Sequence, residues 1–187
     1  DLVSVQRQGP TGAAETLATF TYDHRHLPLT HTDAAGQTTR YAWDGAGLLE
    51  SVTDPLGQTT RYARDGLGRL TAIVNPDGST RLALAYDAFD RVARSTDSEG
   101  YARTFEYDAL DRLTRVGYPD GTSTEYTYDR LDLVAVRDRL GRTTRYAWDA
   151  NRRLVSRTDP LGQTTAYAWH PNGALAAITD PKGNTTA

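Results

Sequence analysis

Residues 38 to 43 read TTRYAW, and their side chains alternate. Thr39, Tyr41 and Trp43 fall on one face of an extended chain, Thr38, Arg40 and Ala42 on the other. RLTAIV at 69–74 reads as a partner strand, with Leu70, Ala72 and Val74 on one face. Similar short runs of Thr, Tyr, Trp, Val and Leu, all strand formers, recur between turns rich in Gly, Pro and Asp. No segment carries an apolar stripe at helical spacing, and Gly and Pro come too often for long helices. The pattern predicts antiparallel β-hairpins throughout.

The runs return at a fixed interval. DPLGQTTRYARD at 54–65 comes back as DPLGQTTAYAWH at 159–170, a near-literal copy that directs the search to fainter ones. An aromatic-Asp dipeptide stands at Tyr22-Asp23, Trp43-Asp44, Tyr86-Asp87, Tyr107-Asp108, Tyr128-Asp129 and Trp148-Asp149. Degenerate copies stand at Arg64-Asp65 and Trp169-His170, and successive copies are 20 to 22 residues apart. Tyr41, Tyr62, Tyr146 and Tyr167 each precede a copy by two residues. Turn-like tetrapeptides keep step with the dipeptide: DAAG, DPLG, NPDG, DSEG, YPDG, DRLG, DPLG and DPKG. Their last residues are Gly36, Gly57, Gly78, Gly100, Gly121, Gly141, Gly162 and Gly183. Two landmarks in register establish about eight repeats over 20–187, and residues 1–19 read as a degraded or partial copy.

Each repeat carries two turn signals. In DPLG, Asp54 suits the first corner of a type I turn, Pro55 the second and Gly57 the fourth. The second turn follows the aromatic-Asp pair, as in DGAG 44–47, DGLG 65–68, DALD 108–111 and HPNG 170–173. The expected architecture is all-β: tandem antiparallel hairpins, one per repeat, forming a continuous curved sheet held mainly by contacts between neighbours. The Tyr and Trp residues are expected to form a cross-strand ladder worth ~0.2–1 kcal/mol per pair. Arg69, Arg91, Arg112 and Arg153 are expected to brace the Asp residues of their own and neighbouring repeats.

Composition narrows the function classes. Hydrophobic content of 38% and a mean hydropathy of −0.60 are lean for a thick core and favour a thin sheet with modest burial. Without Cys there is neither a disulfide framework nor thiol chemistry. A net charge of −3 gives no general pull toward nucleic acid or anionic membranes. No apolar run is long enough to span a membrane and no signal-peptide pattern is present. The chain opens and closes in mid-pattern and reads as an internal piece of a larger protein.

Candidate chemistry is sparse. HRHLPLTH holds His24, His26 and His31, but the first two occupy turn positions held elsewhere by Gly or Asp, so divergent turn residues explain them better than a metal site. Acidic turns suggest calcium, yet calcium-binding β-rolls repeat about every nine residues with glycine-rich runs absent here. Ser79, Ser95, Ser123 and Ser156 lack a nucleophile elbow and a His in register. No catalytic, cofactor-binding or metal residue is assigned, no cofactor is expected, and the segment reads as a non-enzyme. Rings interleaved with Arg can stack sugars or single-stranded nucleic acid. The sheet's own packing accounts for them more simply.

The unit G-x-x-T-x-Y-x-[YW]-D-x-x-x-R-L…D-P-x-G, seen in GRTTRYAWDANRRLVSRTDPLG (141–162) and GYARTFEYDALDRLTRVGYPDG (100–121), resembles the YD repeat of the RHS (rearrangement hot spot) family. The resemblance covers roughly residues 20 to 187. It implies a strip of β-sheet that spirals into a hollow shell. Bacterial members enclose a toxic C-terminal domain and are delivered by secretion systems, type VI among them, or as toxin-complex components; teneurins are animal relatives. The implied partners are therefore the rest of the shell, the enclosed toxin domain, and secretion or chaperone proteins. The implied location is a secreted or delivered effector made in the bacterial cytoplasm. The segment that closes bacterial shells, with its acidic self-cleavage residues, does not occur in these residues, so no catalytic residue is carried over. A cell-surface adhesion or carbohydrate-binding module is the alternative class.

Overall fold

A computed structural model describes residues 1–9 and 12–187. Pro10 and Thr11, within the expected degraded repeat, lie outside the described residues. The described residues hold eighteen strands and no helix. They form two compact units, Asp1–Tyr101 and Ala102–Ala187.

The first unit contains β1 (Ser4–Gln8), β2 (Ala14–Tyr22), β3 (Pro28–Asp33), β4 (Thr38–Trp43), β5 (Leu49–Thr53), β6 (Thr59–Arg64), β7 (Leu70–Val74), β8 (Thr80–Tyr86) and β9 (Val92–Asp97). The second contains β10 (Ala102–Tyr107), β11 (Leu113–Gly117), β12 (Ser123–Asp129), β13 (Asp132–Arg137), β14 (Thr143–Trp148), β15 (Leu154–Thr158), β16 (Thr164–Trp169), β17 (Leu175–Thr179) and β18 (Thr185–Thr186). Within each unit every strand pairs antiparallel with the next in sequence. The expected all-β tandem-hairpin architecture is what the chain adopts.

Two kinds of hairpin alternate. Those closed by a DPxG-type turn share short ladders, such as Ser51↔Arg61, Val52↔Thr60 and Thr53↔Thr59. Those closed by the turn after the aromatic-Asp pair have a register shift beside the aromatic position, as between Ala42 and Trp43, Ala63 and Arg64, or Ala147 and Trp148. This bulge adds a residue to one strand and strengthens its twist. It also interrupts the simple alternation expected over 69–74. Ala72 lies opposite Ala63, but Leu70 lies opposite the adjacent Arg64, because Thr71 is the extra residue.

The sheet is thin. Among the described residues the buried apolar side chain is Val116 and the buried polar one is Ser95. Elsewhere half-buried strand positions face one another in pairs: Tyr41↔Val52, Tyr62↔Ile73 and Tyr126↔Val136. An aromatic ring beside a β-branched chain is a favourable cross-strand pair, worth ~0.2–1 kcal/mol. Stability is thus spread over many small local terms.

Candidate functional site

The recurring residues build three fasteners. The first is the turn clamp. Asp65 Oδ1 accepts hydrogen bonds from the N–H groups of Leu67 and Arg69 (both 3.0 Å). Gly68 N donates back to Asp65 O at 2.9 Å, and Asp65 N donates to Arg69 O at 3.0 Å. The same two side-chain bonds recur at Asp23, Asp33, Asp44, Asp54, Asp87, Asp97, Asp108, Asp138, Asp149, Asp159 and Asp180. Such a turn requires a left-handed residue at its fourth position. Gly36, Gly57, Gly78, Gly100, Gly121, Gly141, Gly162 and Gly183 supply it with φ between 78° and 87°. In the second turn the position is Gly47, Gly68 or Gly173, but also Asp90, Asp111 and Arg152 with φ of 65°, 60° and 61°. Asp129 departs from the pattern. It pairs directly with Asp132 around a turn in which Arg130 has φ 51°.

The second fastener is the expected arginine brace. Arg69, Arg91, Arg112 and Arg153 each donate Nε to the Asp four residues earlier, at 2.7 to 2.8 Å. These bonds hold the carboxylates of Asp65 and Asp108 below their ordinary range. The brace also reaches the next repeat. Arg69 Nη1 donates to Asp90, Arg112 Nη1 to Arg130 O, and Arg153 Nη1 to His170 O at 3.0 Å. Arg25 reaches Asp44 O at 2.9 Å, and Arg152 reaches back to Asp132 at 2.7 Å. The guanidinium groups of Arg69 and Arg112 lie 4.6 and 4.3 Å from the ring centroids of Tyr86 and Tyr128, a cation–π geometry.

The third is an aromatic strap. At the open end of five DPxG-type hairpins the ladder stops, and the tip of the aromatic residue bonds a carbonyl across the gap. Trp43 Nε1 donates to Pro28 O (2.7 Å), Tyr86 Oη to Leu70 O (2.7 Å), Tyr128 Oη to Leu113 O (3.0 Å), Trp148 Nε1 to Leu133 O (2.7 Å) and Trp169 Nε1 to Leu154 O (2.8 Å). Tyr22 Oη reaches Leu2 O at 2.8 Å. The aromatic residue is an amphipathic clip, with an apolar body in the sheet and a polar tip on backbone.

Sequence reasoning missed a further element. Threonine hydroxyls bond each other across the DPxG turns, at Thr32–Thr38, Thr53–Thr59, Thr158–Thr164 and Thr179–Thr185, all 2.8 to 2.9 Å. The spacing T-D-x-x-G-x-T carried that signal in plain view.

His24 and His26 lie in the turn after Tyr22, and His26 Nδ1 is 2.9 Å from Asp1 Oδ2. His31 stacks on Phe20 at 4.9 Å. Among the described residues no group of three or more His, Cys, Asp or Glu could hold a metal ion. Ser79 bonds Asp77, Ser123 bonds Glu125, and Ser95 and Ser156 are strand positions opposite Leu84 and Ala147. Depressions of 390 and 280 Å³ lie over Arg145, Ala147 and Ser156 in one unit and over Ser51, Arg61 and Ala63 in the other. They fall at equivalent registers, so they belong to the repeat and not to a singular site.

The class these features define is a tandem-hairpin repeat protein in which the recurring side chains fasten one hairpin to the next. The family profile described as RHS Repeat matches residues 22–56, 43–80, 86–123, 128–164 and 153–185, and the chain belongs to this family. No curated protein matches the chain. Among solved structures, the TcdB2-TccC3 complex is similar with a TM-score of 0.68 at 15% identity. The TcdB2-TccC3-Cdc42 complex scores 0.67 at 15%, and a TccC3 variant of the Photorhabdus luminescens Tc holotoxin pore scores 0.64 at 17%. Each match covers 98% of this chain and 14% of the other, so the chain spans about a seventh of the length of these toxin-complex chains.

Proposed function

We propose that this segment is part of the wall of an RHS shell that encloses a toxic C-terminal domain for delivery to another cell. The observation that carries the reading is the use to which the repeated residues are put. Clamp, brace and strap all spend their polar groups on the strip itself, which suits a casing more than a catalyst or a receptor. Membership of the RHS family and the likeness in fold to toxin-complex chains support the same view. On this reading the segment performs no chemistry. Any enzyme lies in the enclosed domain, and the partners are the remaining repeats, that domain and the delivery machinery.

The test is limited proteolysis of the full-length parent protein. A C-terminal domain that resists protease while the repeats are intact, and is digested once several repeats are deleted, supports the casing. Equal digestion in both, or specific binding of this segment on a glycan array, would replace it with the adhesion reading.

A further inference from the structure

The β5–β6 hairpin departs from the fastening pattern twice. Arg64 stands where other repeats place a Tyr or Trp. Its Nη1 donates to Gly68 O of its own turn at 3.1 Å, and its Nε, shut off from solvent, has no hydrogen-bond partner. The strap that would run to Leu49, the counterpart of Pro28 and Leu154, is replaced by a bond to the next turn. Leu48, in turn, occupies the position of Arg69, Arg112 and Arg153. It has no cation to send to the turn at 65–68, and its Cδ1 packs beside Gly68, 3.1 Å from where a Cβ would lie.

The comparable hairpins keep both fasteners. β3–β4 has the Trp43 strap and the Arg25 link to Asp44. β7–β8 has Tyr86 and the Arg69–Asp90 link. β11–β12, β13–β14 and β15–β16 have Tyr128, Trp148 and Trp169 with the links from Arg112, Arg152 and Arg153. What holds β5 to β6 is a three-pair ladder, the Thr53–Thr59 hydroxyl bond and the Asp54 turn clamp, all toward the DPLG turn.

We infer that the β5–β6 hairpin is a built-in opening seam, a hinge at which the first unit parts at its Leu49/Arg64 end while the flanking hairpins stay closed. Closing the hairpin shuts the Arg64 Nε away from water without a partner; opening it restores solvation. Local opening at points of few fasteners is how a sheet yields below its global stability. The inference concerns the strip alone and holds whatever the strip encloses.

Hydrogen exchange on the full chain tests it. Amides of Ser51 and Arg61, the pair nearest the open end, are expected to exchange about tenfold faster than those of their counterparts Thr30 and Arg40, the worth of one strap hydrogen bond. The double substitution Leu48→Arg with Arg64→Trp is expected to bring the two sets level. Equal or slower exchange across β5–β6 in the unaltered protein overturns the inference, and so does a folded double variant that leaves the rates unchanged. The unaltered protein decides the matter even where the double variant does not fold.

Discussion

Gly57 sits at φ 82° with nothing within 4 Å of the place a Cβ would occupy. Only the backbone penalty therefore opposes Gly57→Ala, and the expected loss is about 1–2 kcal/mol, read from the urea midpoint at unchanged slope. Asp120, in the turn where Tyr118 stands in place of the clamp aspartate, offers an electrostatic test. It accepts from the Thr122 hydroxyl (2.6 Å), the Thr122 N–H (3.0 Å) and Arg139 Nη2 (2.5 Å). The Thr122 hydroxyl leads in lowering its pKa from 3.8 to about 2. A carboxylate depressed by folding contributes stability that is fully present above 3.8 and is lost as pH falls toward about 2. Acid titration of Asp120→Asn is expected to show a shallower loss of stability across that window than the unaltered protein. An identical acid profile would show that the contact contributes nothing in solution. The carboxylate is well exposed, so the difference is small.

At the scale of the element, the strap makes the clearest prediction. Tyr128→Phe keeps the ring beside Arg112 but removes the bond to Leu113 O. The expected cost is about 1 kcal/mol, with faster exchange at the open end of β11–β12 and little change at its turn. A loss concentrated at the turn at 118–121 would show that the hydroxyl does not close the hairpin. The position of the aromatic residues was legible in the sequence, because they keep step with the turns. Their task was not. A ladder of rings was the natural expectation from periodicity, whereas the bond to a carbonyl 15 or 16 residues earlier depends on the ladder ending short.

At the scale of the molecule, burial is so slight that stability resides in nearest-neighbour contacts. Replacing both Tyr146 and Trp148 by Ala is expected to raise exchange beyond β13–β15, into β12 and β16. Damage confined to β14 would mean that the hairpins fold independently. β1 has one partner strand among the described residues, β2, and carries the exposed Val5. An open strand edge is a template for another chain. Residues 1–187 prepared alone are expected to associate in a concentration-dependent way by sedimentation, and monomeric behaviour at high concentration would show the edge to be inert.

The period, the strand-and-turn order, the glycine positions and the Asp–Arg braces can all be read along the chain. All are local: a clamp spans five residues, the last of them its arginine, so proximity follows from chain geometry. How one hairpin joins the next is visible only in three dimensions. The bulge beside each aromatic residue, the carbonyl each ring tip reaches and the reach of Arg69 to Asp90 depend on where a neighbouring hairpin lies. So does the significance of Arg64 and Leu48. Each reads alone as a worn copy of the repeat, and only their falling on the same hairpin leaves β5–β6 without either fastener. Contacts set by covalent spacing can be read from a sequence, but contacts set by the placement of the next strand must be seen.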